Sequence, residues 1–147
     1  MFAEYSFSKA RSNLTELIDG VQRLTPAVIR PRKKSEEASV VLSRALLCMI
    51  LQESEHESLV TPRFIAEPDH SVTVALDPLD IAVNAETRES AIQLAAGEAM
   101  EYAKEYLDQE NIALYLRSPN RRSHLPTVIR IAMCDSLSEV VGVLNLA

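Results

Sequence analysis

Glycine is scarce in this chain: three residues in 147. Loops that cradle phosphate in P-loop or dinucleotide-binding folds need several glycines at fixed spacing, so both are excluded. Cysteine is scarcer still. Cys48 and Cys134 are the only two, each in an apolar run and with no C-x-x-C pair. They read as reduced, buried thiols, not as a disulfide framework or a metal site. His56, His70 and His124 are scattered, with no H-x-x-x-H pair, which argues against a metal-ligand set. There is no G-x-S-x-G elbow. No apolar run approaches the ~20 residues of a membrane span. The N-terminus lacks the basic-then-apolar pattern of a secretory signal. These absences point to a non-enzymatic, cytoplasmic protein with no metal, no cofactor and no membrane association.

What is present is ordinary globular material. Hydrophobic residues make up 47% and charged residues 24%, enough to build one core or two small ones. The formal charge of −6 is unevenly spread. Residues 1–50 hold eight basic and five acidic side chains, a balance of +3. The remainder holds seven basic and sixteen acidic ones, a balance of −9. A basic front and an acidic back suit a protein that meets nucleic acid at one end and a cationic partner at the other.

The chain is organised around the stretch from Ser6 to Val21. Ala10, Leu14, Leu17, Ile18 and Val21 follow the helical period on one face. Ser6 or Ser8 can cap the start. Lys9 and Arg11 then fall in the N-terminal part of the helix, where free N–H groups, the helix dipole and two cations would form an anion site. A short strand is predicted before it, between Phe2 and Phe7, with Tyr5 and Phe7 on one face. Thr25-Pro26 ends the helix. Ala27 to Lys34 and Ala38 to Ser43 hold two β-rich runs with polar residues between them, a hairpin. Ser43 can cap a second helix, Arg44 to Leu51, apolar on nearly every side and therefore buried in a core or against a partner.

This first third resembles the N-terminal domain of the Phd/YefM family of antitoxins. The matching residues are Ser8-Lys9-Ala10-Arg11-x-Asn13-Leu14-x-x-Leu17-Ile18-x-x-Val21, then Val28-Ile29-x-x-Arg32-Lys33, then Val40-Val41-Leu42. The chain looks like the longer, RelB-associated, PHD-like branch. The resemblance implies an antitoxin of a type II toxin–antitoxin pair that neutralises a RelE-like ribonuclease toxin. It also implies a homodimer that binds operator DNA and represses its own operon. Lys9, Arg11, Arg32 and Lys33 are the residues expected to meet DNA.

The rest departs from ordinary members, which end in a pliable segment that folds on the toxin. Here Glu53 to about His70, with Pro62 and Pro68, reads as a linker. Beyond it, Val72, Val74 and Leu76, then Leu79, Ile81 and Val83, alternate as strands. Glu86 to Asp108 is the longest helix. Asn111–Arg117 and Thr127–Cys134 read as strands, and Ser136-Leu137-Ser138-Glu139 as a capping box opening a last helix. The expected class is α+β: a strand–helix–hairpin–helix unit over residues 1–54, followed by a β-β-α-β-β-α half over residues 70–147. Glu98, Glu101 and Glu105 share the polar side of the long helix, as a solvated acidic face that can meet a basic toxin. Arg121, Arg122 and His124 fall in a loop with two readings, a site that could hold a phosphate or a carboxylate and an exposed basic loop with no ligand. A reading of another class, a ligand-responsive regulator or small-molecule-binding module, would be favoured by a buried polar pocket in the second half.

Overall fold

A computed structural model describes residues 2–54 and 60–147; His56 and the charged run around it lie outside the described residues. The chain divides into two compact units, residues 1–52 and 53–147.

The first unit begins with β1 (Ala3–Tyr5), shorter than the expected strand, because Phe7 already belongs to a helix. That helix is broken. α1 (Phe7–Ser12) and α2 (Leu14–Gln22) replace the single helix expected from the apolar face. The break falls at Asn13, whose backbone leaves the helical region at φ −116° and ψ 36°. Ala10, Leu17 and Val21 are buried as expected, but Leu14 and Ile18 form an exposed stripe. Beyond the helices, β2 (Ala27–Ile29) and β3 (Ser39–Val41) form the antiparallel hairpin. β1 joins β2 in parallel, so the sheet order is β1-β2-β3. Tyr5, Ala10, Leu17, Val21 and Ala27 make its small core.

α3 (Arg44–Ser54) starts where Ser43 predicts it, the serine Oγ accepting from the Leu46 N–H at 3.2 Å. Burial is another matter. Only Leu51 of this helix is buried, while Met49 and Ile50 are 44% and 48% exposed. Leu46, Leu47 and Cys48 are half-buried, so the helix leaves much of its apolar surface open.

The second unit starts earlier than the composition indicates. β4 (Arg63–Ala66) lies inside the stretch read as a linker and pairs antiparallel with β5 (Val72–Leu76), which pairs with β6 (Ile81–Ala85). Asp77–Leu79 form a 3-10 turn between the last two strands. The sheet packs on α4 (Arg88–Leu107), whose buried face is Ala91, Ala95, Ala96, Ala99, Ala103 and Tyr106. Five alanines keep that face flat, so the sheet and the following helices approach closely.

The two stretches read as late strands are helices: α5 (Ile112–Arg117) and α7 (Leu125–Ala132). The intervening loop contains α6 (Pro119–Arg122). Among the described residues the second unit is therefore three strands followed by five helices, and the class stays α+β. In α7 the burial of His124, Thr127, Val128 and Ile131 follows i, i+3, i+4, i+7, and packing against α4 overrides the β-branched preference of Thr127-Val128-Ile129 for strand. α8 (Leu137–Val143) is capped as expected: Ser136 Oγ accepts from the Glu139 N–H at 3.2 Å. The Glu139 carboxylate reaches back to the Asp135 N–H at 2.8 Å. Among the described residues no helix is long and apolar enough to cross a membrane.

Candidate functional site

The residues expected to meet DNA lie in the first unit. Lys9 and Arg11 are exposed on α1. Because Asn13 ends that helix, both sit in its last turn, and the dipole argument reverses. They stand at the negative end, where cations are favoured without any ligand. The Lys9 N–H is also already used, donating to Ser6 Oγ at 3.2 Å. The anion site at a helix start is thus corrected: the two cations remain on the surface, and the helix end behind them attracts cations instead of anions.

Arg32 is engaged. Its Nε and Nη2 donate to the two carboxylate oxygens of Glu36 at 3.2 and 2.7 Å. Its backbone N–H adds a third bond to the same group at 3.1 Å. Hydrogen bonds from Arg32 hold the Glu36 carboxyl below the usual carboxylate range. The guanidinium also lies 4.9 Å from the centre of the Phe7 ring. Arg32 therefore folds the nine residues between β2 and β3 onto the start of α1. Lys33 and Lys34 are carried there as exposed cations. Sequence reasoning found these residues, but the ring of Phe7 as their anchor was masked by its assignment to a strand.

The acidic side of α4 is exposed, as the helical spacing requires. Glu98 has no partner among the described residues. Glu101 accepts from Lys104 Nζ at 2.6 Å, and Glu105 from the Tyr115 hydroxyl at 2.5 Å. That bond to Glu105 raises the Tyr115 phenol above its ordinary pKa.

The Arg121–His124 stretch runs from the end of α6 to the start of α7, with Arg122 and Ser123 exposed and His124 buried. His124 is only 6% exposed. Its Nδ1 lies 2.6 Å from the Tyr102 hydroxyl, which also accepts from Arg121 Nη1 at 3.3 Å. Which of the hydroxyl and Nδ1 donates follows the imidazole tautomer, because a hydroxyl can accept from arginine and still either give its proton to Nδ1 or accept from it. Burial lowers the His124 pKa, and Arg121 adds to that, while Asp80 opposes it. The Arg121 guanidinium lies 5.6 and 5.0 Å from the ring centres of Tyr102 and Tyr115. Its carbonyl accepts from the buried Tyr106 hydroxyl at 2.8 Å. These contacts pin α6 and the start of α7 to α4.

Two concavities of the second unit bear on ligand binding. One, of about 350 Å³, lies between α4 and α7 and is lined by Met100, Ala103, Lys104, Leu107, Ile131 and Cys134. Apart from Lys104 its lining is mostly apolar, unlike the buried polar pocket that a ligand sensor would call for. The other lies beside Arg117 and Arg122. Among the described residues no group of three or more His, Cys, Asp or Glu side chains is placed to hold a metal ion.

The fold of the whole chain is found in a solved structure. A crystal structure from Syntrophomonas wolfei subsp. wolfei, assigned as the antitoxin part of a toxin/antitoxin system, has this fold. It aligns with a TM-score of 0.74 and 23% identity, over 96% of this chain and 95% of the other. No curated protein matches the sequence. Residues 1–146 match the PHD-like family, described as antitoxin of toxin–antitoxin, RelE/RelB, TA system. The chain belongs to that family, which implies a toxin as its partner.

Proposed function

We propose that the protein neutralises a cationic, RelE-like ribonuclease toxin and represses its own operon by binding operator DNA as a homodimer. The supporting observation is the division of labour between the units. The first unit carries the basic excess together with unpartnered apolar side chains on α2, β3 and α3. The second carries the acidic excess on a self-sufficient core.

In this reading two copies associate through the hairpin and α3, presenting two copies of α1 to a near-palindromic operator. Lys9, Arg11 and Lys33 contact DNA. Arg32 holds the loop in place and reaches phosphate only by sharing its guanidinium with Glu36. Residues 70–147 carry most of the grip on the toxin, with Glu98, Glu101 and Glu105 facing its basic surface. The protein has no catalytic role in the pair and acts in the cytoplasm.

The test is a salt-titrated gel shift on the region upstream of the operon. Binding should weaken steeply with salt, because each neutralised phosphate releases counterions. Arg11→Ala should cost about 1–3 kcal/mol if the guanidinium meets a base edge with both nitrogens. Equal binding by wild type and Arg11→Ala, or no binding with and without toxin, ends the repressor reading.

A further inference from the structure

Seven basic side chains lie in residues 53–147. Five are occupied. Arg63 forms a two-pronged pair with Asp77. Arg88 lies 3.6 Å from the centre of the Phe64 ring. Lys104 pairs with Glu101, Arg121 with the tyrosines of α4 and α5, and Arg130 has a partner of its own. The guanidinium groups of the two that remain, Arg117 and Arg122, have no ion pair or hydrogen bond among the described residues. Both are exposed, and both line one concavity of about 550 Å³ with Ser123, Pro119, Leu125 and Pro126.

Each arginine alone is accounted for by its place in the last turn of a short helix, where a cation is favoured. Their convergence is not. An anion held between two like charges that line one concavity would be attracted by both. Sixteen acidic side chains surround them in sequence, yet none of those described neutralises either one.

We propose that this concavity binds a compact organic phosphate. Two guanidinium forks match phosphate oxygens. The start of α7, at Leu125, adds the positive end of a helix dipole to the same wall. Pro119, Leu125 and Pro126 give the organic part an apolar surface. The volume falls within the roughly 300–1,000 Å³ of small-molecule sites. The ligand is compact because the unit's balance of −9 repels an extended polyanion. The inference is independent of the operator and toxin readings.

Phenyl phosphate, inorganic phosphate and a short DNA duplex serve as probes. Each is titrated into the full-length protein while the arginine Nε–Hε and nearby amide resonances are followed. Phenyl phosphate should shift the Arg117, Arg122 and Ser123 signals saturably, and more tightly than inorganic phosphate. Arg117→Gln/Arg122→Gln should abolish the shift. Arg117→Lys/Arg122→Lys, which keeps both charges and the fold but loses the forks, should weaken it about ten-fold. Absence of a saturable shift in wild type overturns the site, as does an undiminished shift in a folded double variant. Inorganic phosphate binding as tightly as phenyl phosphate overturns the organic part. A duplex that saturates the same resonances replaces the small ligand with nucleic acid and also overturns the proposal.

Discussion

The two units bury their apolar residues very differently. In the first, five side chains form the core, from Tyr5 to Ala27, while Phe2, Phe7, Leu14, Ile18, Leu24, Val40, Met49 and Ile50 stand exposed. In the second, sixteen residues form one cluster that runs from Val60 to Leu146. Both have three-stranded sheets and helices, so element content does not explain the contrast. The difference is where the apolar face points. α4 turns its whole alanine face inward, whereas α2 buries Leu17 and Val21 and leaves Leu14 and Ile18 in solvent. A surface of this kind marks an interaction site, and the proposed dimer supplies its cover.

The helix ends repeat the contrast. α2 and α8 finish in the same motif. Leu24 and Thr25 donate to the carbonyls of Val21 and Gly20; Asn145 and Leu146 donate to those of Gly142 and Val141. The left-handed residue differs. Asn145, at φ 55°, tolerates that conformation and places its amide 3.5 Å from the Val60 carbonyl. Leu24, at φ 62°, does not belong there, and its side chain is 47% exposed.

The sharpest test removes one buried leucine from each core. Leu17→Ala and Leu76→Ala should each cost about 2–5 kcal/mol. The five-residue core cannot absorb that loss, so Leu17→Ala should unfold the first unit while the second keeps its slow amide exchange. Leu76→Ala should leave both units folded at 25 °C. Equal exchange profiles would erase the contrast.

Next comes association. Met49→Glu with Ile50→Glu removes two large apolar side chains from the proposed interface, about 3 kcal/mol or more. Sedimentation should show the dimer constant weakened roughly 100-fold, with the second unit unchanged. A smaller effect comes from Leu24→Gly, which relieves the left-handed strain and should stabilise the first unit by about 1 kcal/mol, read as a shift in its denaturant midpoint. Asn145→Gly should bring no such gain.

The smallest effect at neutral pH belongs to His124. Its folded pKa lies below the unfolded value of about 6.5. Stability from the neutral ring is therefore fully present above that value and is lost as pH falls below it, at up to about 1.4 kcal/mol per pH unit. Denaturant midpoints between pH 7.5 and 5 should decline for the second unit, and His124→Gln should flatten that decline. A decline of the same size in His124→Gln would mean that other groups control it.

Much of this was legible in the residues. The helical period from Ala91 to Leu107, the alternation in β5 and β6 and the Ser136–Glu139 cap are local signals that agree with the packing. Ile112, Leu114 and Leu116 misled, because their alternation mimics a strand. The helix instead half-buries Ile112, Tyr115 and Leu116 and leaves Leu114 65% exposed. Thr127 to Ile131 misled through β-branching, although Pro126 is a common helix-start residue. Among site residues, the exposed cations and the acidic face follow from spacing alone. The Arg32–Glu36–Phe7 contact and the Arg121–Tyr102–His124 cluster do not, since each joins side chains through tertiary contact.

The bond from Asn145 to the Val60 carbonyl spans 85 positions and closes a core that includes Leu144 and Leu146. The core of the first unit is present once Ala27 has been made, and its last helix once Ser54 has. During synthesis, then, the two halves mature at different times. The half proposed to pair and to meet DNA can fold while the half proposed to hold the toxin still lacks its closing residues. A newly made chain thus passes through an interval in which its first unit is ready and its second is not.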